Sequence, residues 1–164
     1  MPRRLLVADS GPLIALARLE LLHLPASLFD DVLVTDTVWN EVAAAPVRAE
    51  HAALLAARQQ GWLTRSADPV DVPPALSGAA LDDGERSALA LALSIGCDVL
   101  IDKRRGRRAA HQAGLQVLGT LGVLLRARQL GLIGPLRPLT EQLVASGYHI
   151  AAELVAQTLA ALQE

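Results

Sequence analysis

The chain has a single cysteine, Cys97, among its 164 residues. That excludes an internal disulfide framework and any cysteine-rich zinc site. Aromatic residues are nearly absent, at 2% of the chain, so a core must be built from Leu, Val, Ile and Ala, and platforms for stacking unpaired bases are scarce. Lysine is missing apart from Lys103, which leaves arginine as the other source of the 15 positive charges. With a net charge of −2, a general basic coat for nucleic acid is excluded, and any such contact must come from a local patch. No apolar run suits a membrane span: residues 88–101 form the most apolar long stretch, and Ser94, Gly96 and Asp98 interrupt it. The basic start, Met1-Pro2-Arg3-Arg4, is followed by only four apolar residues before Asp9, too few for a signal-peptide core. These absences predict a cytoplasmic protein without membrane partners.

What is present is ample apolar material, 52% of the residues, enough to give one domain of this length a core. Two aspartates stand out against it. Leu5-Leu6-Val7-Ala8 leads into Asp9, and Val99-Leu100-Ile101 leads into Asp102. Each run reads as a strand buried on both faces, with a carboxylate at its carboxyl end, the edge where open parallel sheets bind ligands. Like charges brought together there raise each other's pKa unless a cation lies between them. The first expectation is therefore a metal site.

The rest of the chain alternates in the manner of an α/β domain. A helix is expected from about Pro12, a strand over residues 32–34, and a helix capped by residues 35–37 that ends as Pro46 approaches. An alanine-rich helix over 49–60 precedes an edge strand over 62–64. Residues 66–80, with Pro69, Pro73 and Pro74, have the composition of a loop open to motion. A helix from Asp82 or Asp83 to about Ser94, strand four, a helix over 104–112, strand five over 115–118 and a helix over 121–130 follow. Beyond Pro138, helices are expected over 139–145 and 150–162, the second with Ile150, Leu154, Val155, Leu159 and Leu162 as the face that packs on the body or a partner.

Two glutamates on helices join the strand-end aspartates: Glu41 after strand two, and Glu85 in Leu81-Asp82-Asp83-Gly84-Glu85. An all-oxygen set without His or Cys suits Mg²⁺ or Mn²⁺, and such a site can activate water for attack on phosphorus. Each acid also has a plainer account. Asp82 and Glu85 have the spacing of a capping box, Glu41 fits an exposed helix position, and Asp9 and Asp102 fit strand-to-helix caps. Lys103, Arg104, Arg105, Arg107 and Arg108 follow Asp102 directly, where a phosphate backbone would meet positive charge. They fit a solvated helix face as well, and Arg107 or Arg108 is placed to pair with the acids. His23, His51, His111 and His149 form no zinc-like or nucleophile–base pair, and Gly119-Thr120-Leu121-Gly122 lacks the lysine of a phosphate-binding loop.

Taken in order, these segments resemble a PIN domain of the VapC-like branch. The matching pieces are Val7-Ala8-Asp9-Ser10-Gly11-Pro12-Leu13-Ile14, Val38-Trp39-Asn40-Glu41-Val42, Asp83-Gly84-Glu85-Arg86-Ser87-Ala88, Leu100-Ile101-Asp102 with Arg107-Arg108-Ala109-Ala110, and Gly119-Thr120-Leu121-Gly122-Val123-Leu124-Leu125. The resemblance implies a three-layer α/β/α sandwich on a five-stranded parallel sheet, strand one central and strand four beside it. It implies a single domain over residues 1–164, with a core at about 4–135 and extra C-terminal helices at about 136–164. It further implies a Mg²⁺- or Mn²⁺-dependent endoribonuclease, often the toxin of a type II toxin–antitoxin pair, acting on RNA, silenced by a cognate antitoxin and forming a homodimer. Asp9, Glu41, Glu85 and Asp102 would be the catalytic acids, with Asp9, Asp102 and Glu85 on the metal, and Ser10 orienting Asp9 or a water. One departure is visible: where many PIN domains carry another acid soon after the strand-four aspartate, this chain has Lys103-Arg104-Arg105, so one-metal and two-metal arrangements both stay open. The alternative is a catalytically weak PIN module that binds RNA or a protein partner without cutting. A receiver domain or an aspartyl-phosphate phosphatase fits less well, because Gly11 stands where the phosphatase needs a second aspartate and Lys103 is the only lysine.

Overall fold

Short aliphatic runs with no polar face can be stable only in the middle of a sheet covered on both sides. In the computed structural model, which describes residues 2–44 and 49–164, five strands pair into one all-parallel sheet with such runs at its centre. They are β1 (Leu5–Ala8), β2 (Asp31–Thr35), β3 (Leu63–Ser66), β4 (Asp98–Leu100) and β5 (Val117–Leu118), in the order β3-β2-β1-β4-β5. The register pairs Val7 with Leu33 on one side and Ala8 with Leu100 on the other. Val7, Ala8, Val99, Leu100 and Ile101 are fully buried, as the centre of such a sheet requires.

Helices α1 (Ser10–Arg18), α2 (Leu24–Leu28), α3 (Asp36–Ala43) and α4 (Ala49–Gln59) belong to the first half of the chain. Helices α5 (Asp83–Ile95), α6 (Arg104–Gln112), α7 (Thr120–Gln129), α8 (Leu136–Ala145) and α9 (Ala152–Leu162) belong to the second. Helix α1 packs with α3, α4 and α7, and α5 packs with α3 and α6 and against β1, β2 and β4. The chain steps outward from β1 to β3, then returns past β1 to β4 and β5. The reversal falls between β1 and β4, and the backbone there is closed by the Asp9 amide donating to the Leu100 carbonyl at 2.9 Å. In an open α/β sheet this is the ligand-binding crevice.

Helices α8 and α9 pack on α7, burying Leu136 and Leu143 completely. Glu164 knits the three together, accepting from Arg128 Nε at 2.8 Å and from the Leu136 amide at 2.5 Å.

Several expectations need correction. Helix α2 was not anticipated, because five residues are too few to show a period. Helix α8 begins at Leu136 rather than 139, since Pro138 lies in its first turn, where a missing amide donor costs nothing. Helix α9 begins at Ala152 rather than 150; Leu159 is buried, Val155 and Leu162 pack at the core margin with Ile150 just ahead of the helix, and Leu154 is 54% exposed. The segment after β3 is pinned at two points: Asp68 accepts from the Thr37 amide at 3.0 Å, and Leu76, in the 3-10 turn Pro74–Leu76, is fully buried. The helix end expected at Pro46 lies outside the described residues.

Candidate active site

Asp9 leaves β1 one residue past the register pair Ala8–Leu100 and occupies the N-cap position of α1, yet its side chain makes no capping bond. The simple account of this residue as a helix cap is therefore wrong. Its carboxylate is 1% exposed, and neither oxygen has a hydrogen-bond partner. Burial above all, with the negative charges of Asp82 and Glu41 adding to it, pushes its pKa from the ordinary 3.8 to about 7. The nearby Ser10 amide, which makes no regular hydrogen bond to either oxygen, and the Lys103 charge pull the other way. Ser10 itself is the first residue of α1, half-buried beside Asp9.

Asp102, past the end of the neighbouring β4, is the opposite case. It does not cap α6, whose N-cap is Lys103. It turns instead to the start of α7, where Oδ1 accepts from the Thr120 amide at 2.7 Å and Oδ2 from the Thr120 hydroxyl at 2.5 Å. Oδ2 also accepts from the Tyr148 hydroxyl, delivered by the turn between α8 and α9. Burial first, then the Asp102 charge, drives the Tyr148 pKa far above its ordinary value, so the phenol stays protonated and donates.

Glu85 is fully buried at the third position of α5. The expected capping box is formed: the Glu85 amide donates to Asp82 Oδ1 and the Asp82 amide to Glu85 Oε2, each at 2.8 Å. Arg105 Nε reaches the same Glu85 carboxylate at 3.1 Å and Lys103 pairs with Asp82. Burial opposes ionisation of Asp82, but the Glu85 amide and the Lys103 ammonium hold it below the usual carboxylate range. The acid-pairing cations are thus Lys103 and Arg105, not Arg107 or Arg108. Arg107 Nη1 donates to the Ile101 carbonyl at 3.0 Å, while Arg104 and Arg108 stand exposed on α6 with no ion pair among the described residues. Glu41 is exposed on α3, and its carboxylate rests on the backbone of Gly84, where a Cβ would come within 2.5 Å of both oxygens. A glycine is what allows α3 and α5 to bring this acid so close to the start of α5.

The family model described as a PIN domain matches residues 5–164, nearly the whole chain. The chain belongs to the PIN-domain family. Among solved structures, a PilT N-terminus domain protein from the hyperthermophilic archaeon Sulfolobus solfataricus is similar, with 11% identity, a TM-score of 0.48, and coverage of 90% of this chain and 97% of that one. No curated protein matches the chain. PIN domains are commonly nucleases and typically use divalent metal ions.

Among the described residues of this PIN domain, no three His, Cys, Asp or Glu side chains form a ready-made cation cage. The donors present nevertheless fit a hard divalent ion. Mg²⁺ needs only one or two carboxylates and completes its shell with water and substrate oxygens, and a buried carboxylate with both oxygens unpaired is a site that a cation would satisfy. Asp9 meets that description. Two residues of this edge escaped sequence reasoning: Thr120, read only as part of a turn, and Tyr148. The available signal for Tyr148 was scarcity, since it is the only tyrosine in the chain. Among the described residues, no helix is long and apolar enough to cross a membrane.

Proposed function

We propose that this PIN domain is a metal-dependent endoribonuclease. The observation that carries the reading is the orphaned, buried carboxylate of Asp9 at the switch point of the sheet. Asp9, with Asp102 and Glu85, would hold a Mg²⁺ or Mn²⁺ ion, which supplies polarisation of a phosphoryl oxygen and activation of a water for in-line attack. Without the ion, Asp9 holds a proton up to about pH 7. Glu41, exposed and free of any hydrogen bond or ion pair among the described residues, is the acid able to take a proton from an attacking water at the rim. Ser10 orients Asp9 or the water beside it. Lys103 and Arg105 hold Asp82 and Glu85 in place, and Arg104, Arg107 and Arg108 along α6 receive the RNA backbone.

The finer assignment, toxin of a type II pair, rests on the VapC-like motifs in the chain. It carries a cytoplasmic setting, a homodimer and a cognate antitoxin with it. The decisive experiment is cleavage of a mixed RNA panel by purified protein in Mg²⁺ or Mn²⁺, beside EDTA and a folded Asp9→Asn variant. Cleavage lost in both controls is the expected result; cleavage that survives Asp9→Asn would overturn the site. Growth arrest on expression, relieved by a small protein from the neighbouring reading frame, is the expected mark of a toxin.

A binding module without catalysis is the second reading. It is favoured by the engagement of Glu85 with Arg105 and of Asp102 with Thr120 and Tyr148, which leaves fewer acids open. It calls for RNA or partner binding that is indifferent to Asp9→Asn.

A further inference from the structure

Asp102 is gripped from two sides, and the two grips come from different parts of the chain. Thr120, the first residue of α7, supplies an amide at 2.7 Å to Oδ1 and a hydroxyl at 2.5 Å to Oδ2. The other grip is the Tyr148 hydroxyl, 46 residues beyond Asp102 in sequence. Tyr148 is half-buried while its neighbours Ser146, Gly147 and His149 are exposed, so this turn sends one side chain inward and keeps the rest in solvent. The turn is itself tied down: Arg18 Nη1 donates to the Ser146 carbonyl at 3.1 Å, and Gln142 Nε2 donates to the Arg18 carbonyl at 3.3 Å. The hydroxyl ends against the first turn of α1, where a Cβ on Gly11 would lie 3.1 Å from it. Gly11 stands two residues after Asp9, so the phenol is lodged at the edge that Asp9 and Asp102 share.

A carboxylate offers about four lone-pair sites, and the three donors on Asp102 leave one. Its terminal torsion is otherwise broad and two-fold, so an ion binding to an unheld Asp102 would have to order it first. Hydrogen-bond donors behind metal-binding carboxylates typically account for about 10- to 100-fold in affinity or activity. We infer that Tyr148 is a positioning residue for divalent-cation binding: its hydroxyl fixes the Asp102 carboxylate in its binding orientation and so makes the α8–α9 turn part of the active site. The inference rests on the metal-dependent reading above.

The test is Mn²⁺ binding to the full chain, read as loss of the free-ion paramagnetic resonance signal, for wild type, Asp9→Asn, Tyr148→Phe and Gly11→Ala. Tyr148→Phe keeps the ring and deletes one hydroxyl. It is expected to weaken Mn²⁺ binding about ten-fold or more with the metal-free fold retained and its melting lowered only by the one lost hydrogen bond. Gly11→Ala, which crowds the hydroxyl while leaving Tyr148 and Asp102 themselves unsubstituted, should weaken binding in the same direction by less. Cleavage followed against Mn²⁺ concentration should show a raised half-saturating concentration and a rate at saturation that returns towards wild type. Mn²⁺ binding in Tyr148→Phe as tight as in wild type, or tighter, overturns the inference, as does a rate loss at saturation with no change in half-saturation. If Tyr148→Phe does not fold, Gly11→Ala decides: weakened binding supports the inference and unchanged binding overturns it. Wild type that takes up no Mn²⁺, or Asp9→Asn that takes up as much, overturns the metal-dependent reading itself and the role of Tyr148 with it.

Discussion

Asp9 and Asp102 stand just past the ends of adjacent strands, yet one is bare and the other is crowded with donors. Every hydrogen bond that Asp9 lacks, Asp102 has: an amide, a threonine hydroxyl and a tyrosine hydroxyl. The difference lies in what the following segments bring. After Asp9 the chain enters α1 with Ser10-Gly11-Pro12, which sends no side-chain donor back. Across the crevice, α7 and the α8–α9 turn both reach for Asp102. A carboxylate that the fold satisfies can contribute to stability, whereas one it leaves unpaired in the interior costs stability unless something binds it. On the proposed reading, Asp102 is therefore the acid held ready in place by its donors and Asp9 the one left bare for the ion.

The largest expected effect is on Asp9. The unfolded carboxyl ionises near 3.8 and the folded one near 7, so between those values the folded state holds a proton that the unfolded state has released. Stability accordingly falls as pH rises from about 4 to 7 and levels off above, a total of about 4 kcal/mol at about 1.36 kcal/mol per pKa unit. Asp9→Asn should remove most of that slope and melt higher than wild type at pH 8 without metal. Added Mg²⁺ or Mn²⁺ should raise the melting temperature of wild type and leave the variant alone. A flat pH profile in wild type would mean that Asp9 has a partner after all. Asp102→Asn should have the opposite sign. Replacing an acceptor-only group by an amide sets an N–H against some of the three donors, and a loss of about 1–3 kcal/mol in chemical denaturation is expected.

This contrast was only half legible in the sequence. The apolar runs before Asp9 and Asp102 gave the strands, and burial on both faces followed from their lack of alternation. Which aspartate would be bare could not be read, because that depends on contacts from Thr120 and Tyr148, 18 and 46 residues beyond Asp102. Glu85 shows the same limit in reverse. Its spacing from Asp82 specified a capping box, which is local and was formed. The long-range partner Arg105 was visible only as one of several basic residues, and the pairing expected for Arg107 or Arg108 went to Arg105 and Lys103 instead. Helix α8 starting ahead of Pro138 is a local matter misjudged, since proline is a breaker only after the first turn.

Glu41 lies between the two classes, exposed but pressed on Gly84. Gly84→Ala should favour α5 by helix propensity while its Cβ, 2.5 Å from both Glu41 oxygens, pushes that carboxylate aside. Because the displaced group is the end of a flexible side chain, stability should change little, and RNA cleavage should fall about ten-fold, equivalent to about 1.4 kcal/mol in the barrier. Unchanged cleavage would remove Glu41 from the site and leave the bare Asp9 as the working acid of this rim.

The smallest expected effect is on Asp82. Asp82→Ala deletes the cap of α5, which costs about 1 kcal/mol. The ion pairs it loses with Lys103 and Arg105 are partly exposed and add little to that. The Glu85 carboxylate keeps its bond to the backbone amide at position 82, so the buried acid stays in place. What changes beyond the cap is the charge facing Asp9: Asp82 is the first negative charge that raises its pKa. The variant should melt slightly lower than wild type, and the pH at which Asp9 titrates, read from the wild-type-minus-Asp9→Asn stability difference in each background, should move down. A cap loss with no movement of that titration would mean that Asp82 adds nothing to the raised pKa, leaving it to burial and Glu41.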